Sequence, residues 1–278
     1  MFSHLAVGID GSAAADAALD LTLQLATKLG SVVHGIHVID TAILEGSFIT
    51  DVSGALGVEP LLNLTPQVQE LLGDLGETLR ERFNARAEEF AVRGRFHLVR
   101  GAVAYTLVEE SASSALLVVG RRGLNERFHG ELLGPVTERL LRVSTIPVLV
   151  SSKESGPLAH ILIALDNGQR ARHALRWGGE LARALEAGVT LVHADGESGD
   201  GQQLLQNALD YLRPLEIEVD TRLESGNPVK AIERVAAECS ADLICMGSHT
   251  HSRLIEMVLG STTEAILRRL DTAVMCVP

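Results

Sequence analysis

Short apolar runs alternate with amphipathic stretches along the chain, and the alternation occurs twice. In the C-terminal half the runs are HILIAL (160–165), VTLVHA (189–194), EIEVDTR (216–222), ADLICM (241–246) and TAVMCV (272–277). Runs of this length predict strands, and the stretches between them, with helical periodicity, predict helices. The order βαβαβαβαβ predicts a doubly wound parallel sheet of five strands with right-handed crossovers. Ligands on such sheets bind beyond the carboxyl ends of the strands, near the switch point. Ser12 and Asn167 stand where helix N-caps belong, and Asn227-Pro228 reads as a cap followed by a first-turn proline.

The second occurrence is a copy of the first. HLAVGIDGS at 4–12 matches HILIALDNG at 160–168, so that His4 aligns with His160 and Asp10 with Asp166. The register continues without a gap through Ala18-Leu19 with Ala174-Leu175 and His37 with His193. Further on, ALLVVGRRG at 115–123 matches ADLICMGSHT at 241–250, GPVTERLLR at 134–142 matches GSTTEAILR at 260–268, and PVLV at 147–150 matches AVMC at 273–276. The expected domains are therefore 1–150 and 157–278, joined by the Ser-, Gly- and Pro-bearing SSKESGP at 151–157. The first copy carries excess length around 40–69, without clean periodicity, which reads either as a lid, binding loop or oligomer contact or as a tolerated surface loop. The last strand of each copy, 146–150 and 272–277, is a natural edge for pairing. The copies are therefore expected to pack through these strands about a pseudo-twofold axis, as an intramolecular pseudo-dimer. A homodimer of chains stays open.

Composition narrows the function classes. Hydrophobic residues make up 46% of the 278 positions but aromatics only 3%, so Val, Leu, Ile and Ala must fill the cores. A formal net charge of −12 and the lack of a basic patch argue against nucleic acid as a partner. A small phosphate ligand is compatible with that charge, because backbone N–H groups can hold one. No run of about 18 apolar residues suggests a membrane span. The first ten residues do not read as a secretory signal. Cys239, Cys245 and Cys276 are few and not in C-x-x-C spacing, which fits a cytoplasmic location; Cys245 and Cys276 read as core residues on neighbouring strands.

The candidate chemistry lies in the loops after the fourth strands. In the second copy Gly247 follows the strand directly, Ser248 to Arg253 continue the loop, and Gly260-Ser261-Thr262-Thr263 opens a helix. A glycine there lets backbone approach a ligand, and a Gly-Ser-Thr-Thr helix start offers N–H groups, hydroxyls and a favourable dipole. The same four residues also read as a plain N-cap. Arg121, Arg122 and Arg253 could reach a phosphate or be solvated surface charge. His249 and His251 form a His-x-His pair with no third ligand in sight, so no metal site is expected. His4, His37, His160 and His193 read as structural. The P-loop, dinucleotide-fold and nucleophile-elbow signatures are not found.

Together these residues resemble the universal stress protein family, whose nucleotide loop reads Gly-x2-Gly-x9-Gly-[Ser/Thr] after the fourth strand, with an Asp ending the first. The second copy has Gly247, Thr250 in place of the second glycine, and Gly260-Ser261 at the expected spacing. The first copy has Gly120 and Gly123, but Gly134 arrives one residue late and is followed by Pro135. The resemblance implies two tandem five-stranded sheets of the adenine-nucleotide α-hydrolase type. It implies a site for ATP, ADP or AMP, with Mg²⁺ carried by the phosphates. In the second copy Ala164, Leu165, Asp166 and Ala194 would hold the base and ribose. Met246, Gly247, His249 and Thr250 would approach the ribose and α-phosphate, and Gly260, Ser261, Thr262 and Thr263 the outer phosphates. The weaker matching set in the first copy is Ile9, Asp10, Val38, Gly120, Arg122, Gly123, Gly134 and Thr137. Pro135 removes an N–H and a hydroxyl that Ser261 keeps, so the second copy is favoured.

The leading expectation is a nucleotide-binding stress-response or regulatory protein acting through conformation or an unidentified protein partner, without a dedicated catalytic residue. Two alternatives remain open: a non-nucleotide scaffold or ligand-binding protein using 40–69, and a slow ATPase.

Overall fold

The computed structural model describes residues 1–41, 65–123, 133–153, 156–195, 199–248 and 259–278. The first copy runs β1 (His4–Gly8), α1 (Ala13–Leu29), β2 (Val32–Asp40), α2 (Thr65–Glu89), β3 (Gly94–Gly101), α3 (Val103–Ser111), β4 (Leu116–Val119), α4 (Pro135–Val143) and β5 (Val148–Val150). The second runs β6 (His160–Leu165), α5 (Gln169–Leu185), β7 (Gly188–Asp195), α6 (Gly201–Leu212), β8 (Val219–Ser225), α7 (Pro228–Glu238), β9 (Leu243–Gly247), α8 (Ser261–Arg269) and β10 (Ala273–Val277). All the strand runs read from the second copy are strands. The third starts late, at Val219, because a short 3-10 turn precedes it and Glu216 adopts a left-handed conformation with φ 53°.

The strand order is β3-β2-β1-β4-β5-β10-β9-β6-β7-β8. Each copy is a parallel sheet, and the two join where β5 and β10 pair antiparallel, Leu149 opposite Met275. The expected pseudo-twofold packing through the last strands is therefore present, as one continuous sheet. Strand alternation sends side chains to two helical layers. Leu5 and Val7 belong to the apolar layer that contains α1, α2, α5 and α6, whereas Ala6 belongs to the layer that contains α3, α4, α7 and α8. Both layers cross the seam, and Phe2 meets Trp177 edge-to-face at 5.7 Å between ring centroids. Cys245 and Cys276 lie fully buried on the paired β9 and β10, and burial pushes both thiols well above their ordinary range. No helix among the described residues is long and apolar enough to cross a membrane.

Helix starts follow local chemistry, with one correction. Ser12 caps α1 by accepting from the Ala15 N–H, and Asn227 caps α7 by accepting from the Lys230 N–H. Asn167, however, is not the cap of α5; Gly168 is. The Asp166 carboxylate accepts from the Gly168 N–H at 2.7 Å and sets the turn one residue later than the sequence suggests. The expected insertion at 40–69 is corrected at its end, since residues from Thr65 on belong to α2. That helix has 25 residues where α6 has 12, so part of the first copy's extra length is helix. Residues 42–64 lie outside the described residues.

Candidate functional site

The first strand of each copy ends in the same device. Asp10 Oδ1 accepts from the Ser12 N–H at 2.9 Å, as Asp166 does from Gly168. This Asx turn commits one carboxylate oxygen to the backbone and leaves the other outside the turn. His37 Nδ1–H donates to the Ile9 carbonyl at 2.7 Å, and His193 Nδ1–H to the Leu165 carbonyl at 2.9 Å. Both rings are nearly buried, so these histidines hold the strand ends in place. Val38 is buried at the end of β2 and Ala194 half-buried at the end of β7, beside Ile9 and Leu165 respectively.

The fourth strands and the helices after them are stapled together identically. The Gly134 N–H donates to the Arg121 carbonyl and the Gly260 N–H to the Ser248 carbonyl, each at 3.1 Å. Thr137 Oγ1 donates to the Gly120 carbonyl and Thr263 Oγ1 to the Gly247 carbonyl, each at 2.9 Å. The hydroxyl hydrogens of Thr137 and Thr263 are thus used inside the protein, which makes these residues clamps on the loop; only their backbone N–H groups face outward chemistry.

The glycines after these strands have a packing reason that the sequence does not display. A Cβ on Gly120 would lie 2.7 Å from the Ala14 carbonyl carbon, and one on Gly247 would lie 3.0 Å from Arg170 Cβ. Each is small because the first helix of its own copy crosses there. Gly123 is different, since its Cβ would lie 2.7 Å from Asp10 Oδ2 and so would meet the free carboxylate oxygen. Thr250, its counterpart, lies outside the described residues, as do His249, His251 and Arg253.

The helix starts carry the remaining difference. Gly260 precedes exposed Ser261, half-buried Thr262 and buried Thr263, whose first-turn N–H groups point along the helix axis toward the strand ends. Gly134 precedes Pro135, which supplies neither N–H nor hydroxyl. Met246 is buried beneath Gly247. The strand-end carboxylate, the end of β7 and the Ser261 helix start therefore lie along one edge of the sheet.

Arg121 does something the sequence gives no sign of. Neither reading made of it, phosphate ligand or solvated charge, is correct. Only 9% exposed, it crosses the seam and donates to the carbonyls of Leu267, in the last turn of α8, and Thr272, the latter at 3.0 Å. Burial lowers its pKa while the Asp271 carboxylate pulls it back up. The guanidinium stays charged and caps the negative end of α8. Arg122 stays at the first copy's loop, its Cα 3.3 Å from where a Gly134 Cβ would lie.

Among the described residues no group of three or more His, Cys, Asp or Glu side chains is placed to hold a metal ion.

The universal stress protein family matches residues 1–152 and 158–278, one match for each copy. A universal stress protein of Synechocystis sp. is 25% identical over 276 residues, covering 96% of each chain. Another from Mycolicibacterium smegmatis is 25% identical over 296 residues, covering 98% of this chain and 95% of its own. The crystal structure of a universal stress protein from Archaeoglobus fulgidus shares the fold, with a TM-score of 0.79, 21% identity and coverage of 100% and 98%. Two family-length matches in tandem, on a fold shared from end to end, make this chain a two-domain member of the universal stress protein family.

Proposed function

We propose that the chain is an adenine-nucleotide-binding stress-response protein whose second copy is the principal site, and that it acts through conformation or a protein partner. The observation that carries this reading is the start of α8. Three successive first-turn N–H groups, at Ser261, Thr262 and Thr263, stand with the Ser261 hydroxyl at the sheet edge where Asp166 keeps a free carboxylate oxygen. Donors at a helix start suit phosphate, and a carboxylate suits the ribose hydroxyls or base N–H groups at the other end of a nucleotide. Ala164, on the α8 face of the sheet, and Ala194 supply an apolar wall for the base, while the Leu165 side chain faces α5 and α6. In ATP the phosphates would bring Mg²⁺ with them, since the ion favours phosphate oxygens and water over an all-protein cage. The domains proposed are 1–150 and 157–278, and the location proposed is cytoplasmic.

Calorimetric titration with ATP, ADP and AMP tests the reading. Binding is expected to weaken by about tenfold or more in Ser261→Pro, which gives α8 the chemistry of α4. Gly260→Asp adds a carboxylate at the phosphate end and should abolish binding. Failure of all three nucleotides to bind at millimolar concentration overturns the proposal.

A further inference from the structure

The two copies differ most in charge along one groove, between the first helix and the second. In the first copy Asp16 and Asp20 of α1 pair with Arg82 and Arg86 of α2, and these bridges lash the helices together. Helices α1 and α5 match residue for residue in the register that aligns His4 with His160. The positions of Asp16 and Asp20 are held in α5 by Arg172 and Arg176, so the charge is inverted. No acidic residues answer this inversion from α6, whose facing residues are Gln203, Asn207 and Tyr211. Arg172 and Arg176 are exposed and form no ion pair with another described residue. Four residues apart, they share one face of α5.

Between α5 and α6 lies a cleft of about 670 Å³. Leu165, Leu175, Leu204 and Ala208 line it, and Arg172 and Arg176 stand on its wall. Its size is that of a small-molecule site, and apolar walls with a few charged groups are the usual composition of one. Two unanswered guanidinium groups beside an apolar floor select a ligand with one anionic head and an apolar body. Asp166 and Asp200 also line the cleft, at the starts of α5 and α6, and they disfavour a second anionic group at that end. That disposition suits a monoanion and opposes a polyphosphate.

We propose that the α5–α6 cleft of the second copy binds a small amphipathic monocarboxylate, with its head on Arg172 and Arg176 and its apolar body on Leu165, Leu175, Leu204 and Ala208. The cleft lies on the α5–α6 face of the sheet and the phosphate donors of α8 on the opposite face; the two sites meet only at Asp166, and the cleft stands whether or not nucleotide binds. The geometry of the first copy explains why it has no such function: its matching acids repel a carboxylate and are already tied to α2.

Calorimetric titration of the full chain with octanoate, octanol and octylammonium, below the concentrations at which they self-associate, is the test. Octanoate should bind more tightly than either of the others. The double variant Arg172→Ala/Arg176→Ala should weaken octanoate by about tenfold. Arg172→Asp/Arg176→Asp, which copies the first domain, should abolish it. Both pairs are exposed, so thermal unfolding should be unchanged and should rule out misfolding as the cause. Saturating ATP should leave octanoate binding intact. Equal binding of octanol and octanoate, indifference to both double variants, competition by ATP, or no octanoate binding at all would overturn the proposal.

Discussion

Helices α4 and α8 are stapled to their strands alike and differ at both ends. Each starts at a glycine whose N–H is held by a loop carbonyl, and each has a threonine clamped to the end of the preceding strand. Their N-termini differ by Pro135 against Ser261, and among the described residues only α8 has its far end capped from the other copy, by Arg121. The position matching Arg121 is Ser248, which is too short to return the contact. Duplication therefore preserved the backbone device in both halves while the side chains divided the work. One helix start keeps an N–H and a hydroxyl that the other lacks, and the loop of the other copy has become a strut.

The largest expected effect tests that strut. Arg121→Ala removes two charge-assisted bonds from buried carbonyls and should lower stability by about 2–4 kcal/mol, read by denaturant unfolding. A loss below about 0.5 kcal/mol would show that the seam is held by the sheet and the Phe2–Trp177 contact alone. The glycines offer a matched comparison. Gly120→Ala drives a methyl into the Ala14 backbone and should cost about 1–3 kcal/mol. Gly247→Ala meets Arg170 Cβ at 3.0 Å and its carbonyl carbon at 3.3 Å and should cost less, because this approach is a few tenths of an ångström longer. Equal costs would mean that the two crossings are equally tight. The threonine clamps should behave as twins, Thr137→Val and Thr263→Val each losing about 1 kcal/mol. A much larger loss of nucleotide affinity in Thr263→Val than in stability would show that its hydroxyl serves the ligand instead.

The smallest effect concerns a feature the second copy lacks. His4, His34 and His97 form a ladder across β1, β2 and β3, with ring nitrogens 3.1 and 3.3 Å apart and His97 beside Glu110 at 3.4 Å. Burial first, and then the neighbouring His97, His4 and Arg95, lower the His34 pKa from 6.5. The unfolded chain then binds the proton more readily than the folded one. Stability is fully present above about pH 6.5 and declines as pH falls toward the lower folded value. His34→Gln should flatten that decline, measured as unfolding midpoints across the range; an unchanged slope would assign the acid sensitivity elsewhere.

Much of the fold was legible because it is written in local periodicity. The five apolar runs of the second copy are its five strands, and the gap-free register from His4 with His160 to His37 with His193 is the register of β1, α1 and β2 with β6, α5 and β7. Asn167 has a cap's residue type but not its place, because the Asp166 carboxylate bonds the Gly168 N–H and sets the turn one residue later. The first turn of α2 carries no acidic residue to mark the helix start.

The sequence by itself determined the duplication, the succession of strands and helices in each copy and the glycine-bearing loops after the fourth strands, because spacing and residue type act over a few positions of chain. Only the tertiary structure decided what Arg121, Gly120 and Arg172 do. Arg121 meets its acceptors 146 and 151 residues away, Gly120 is required by a helix that crosses from the other end of its domain, and the inverted charge at Arg172 matters only because α6 faces it. Such contacts depend on how elements pack, and packing leaves no periodic trace in the chain.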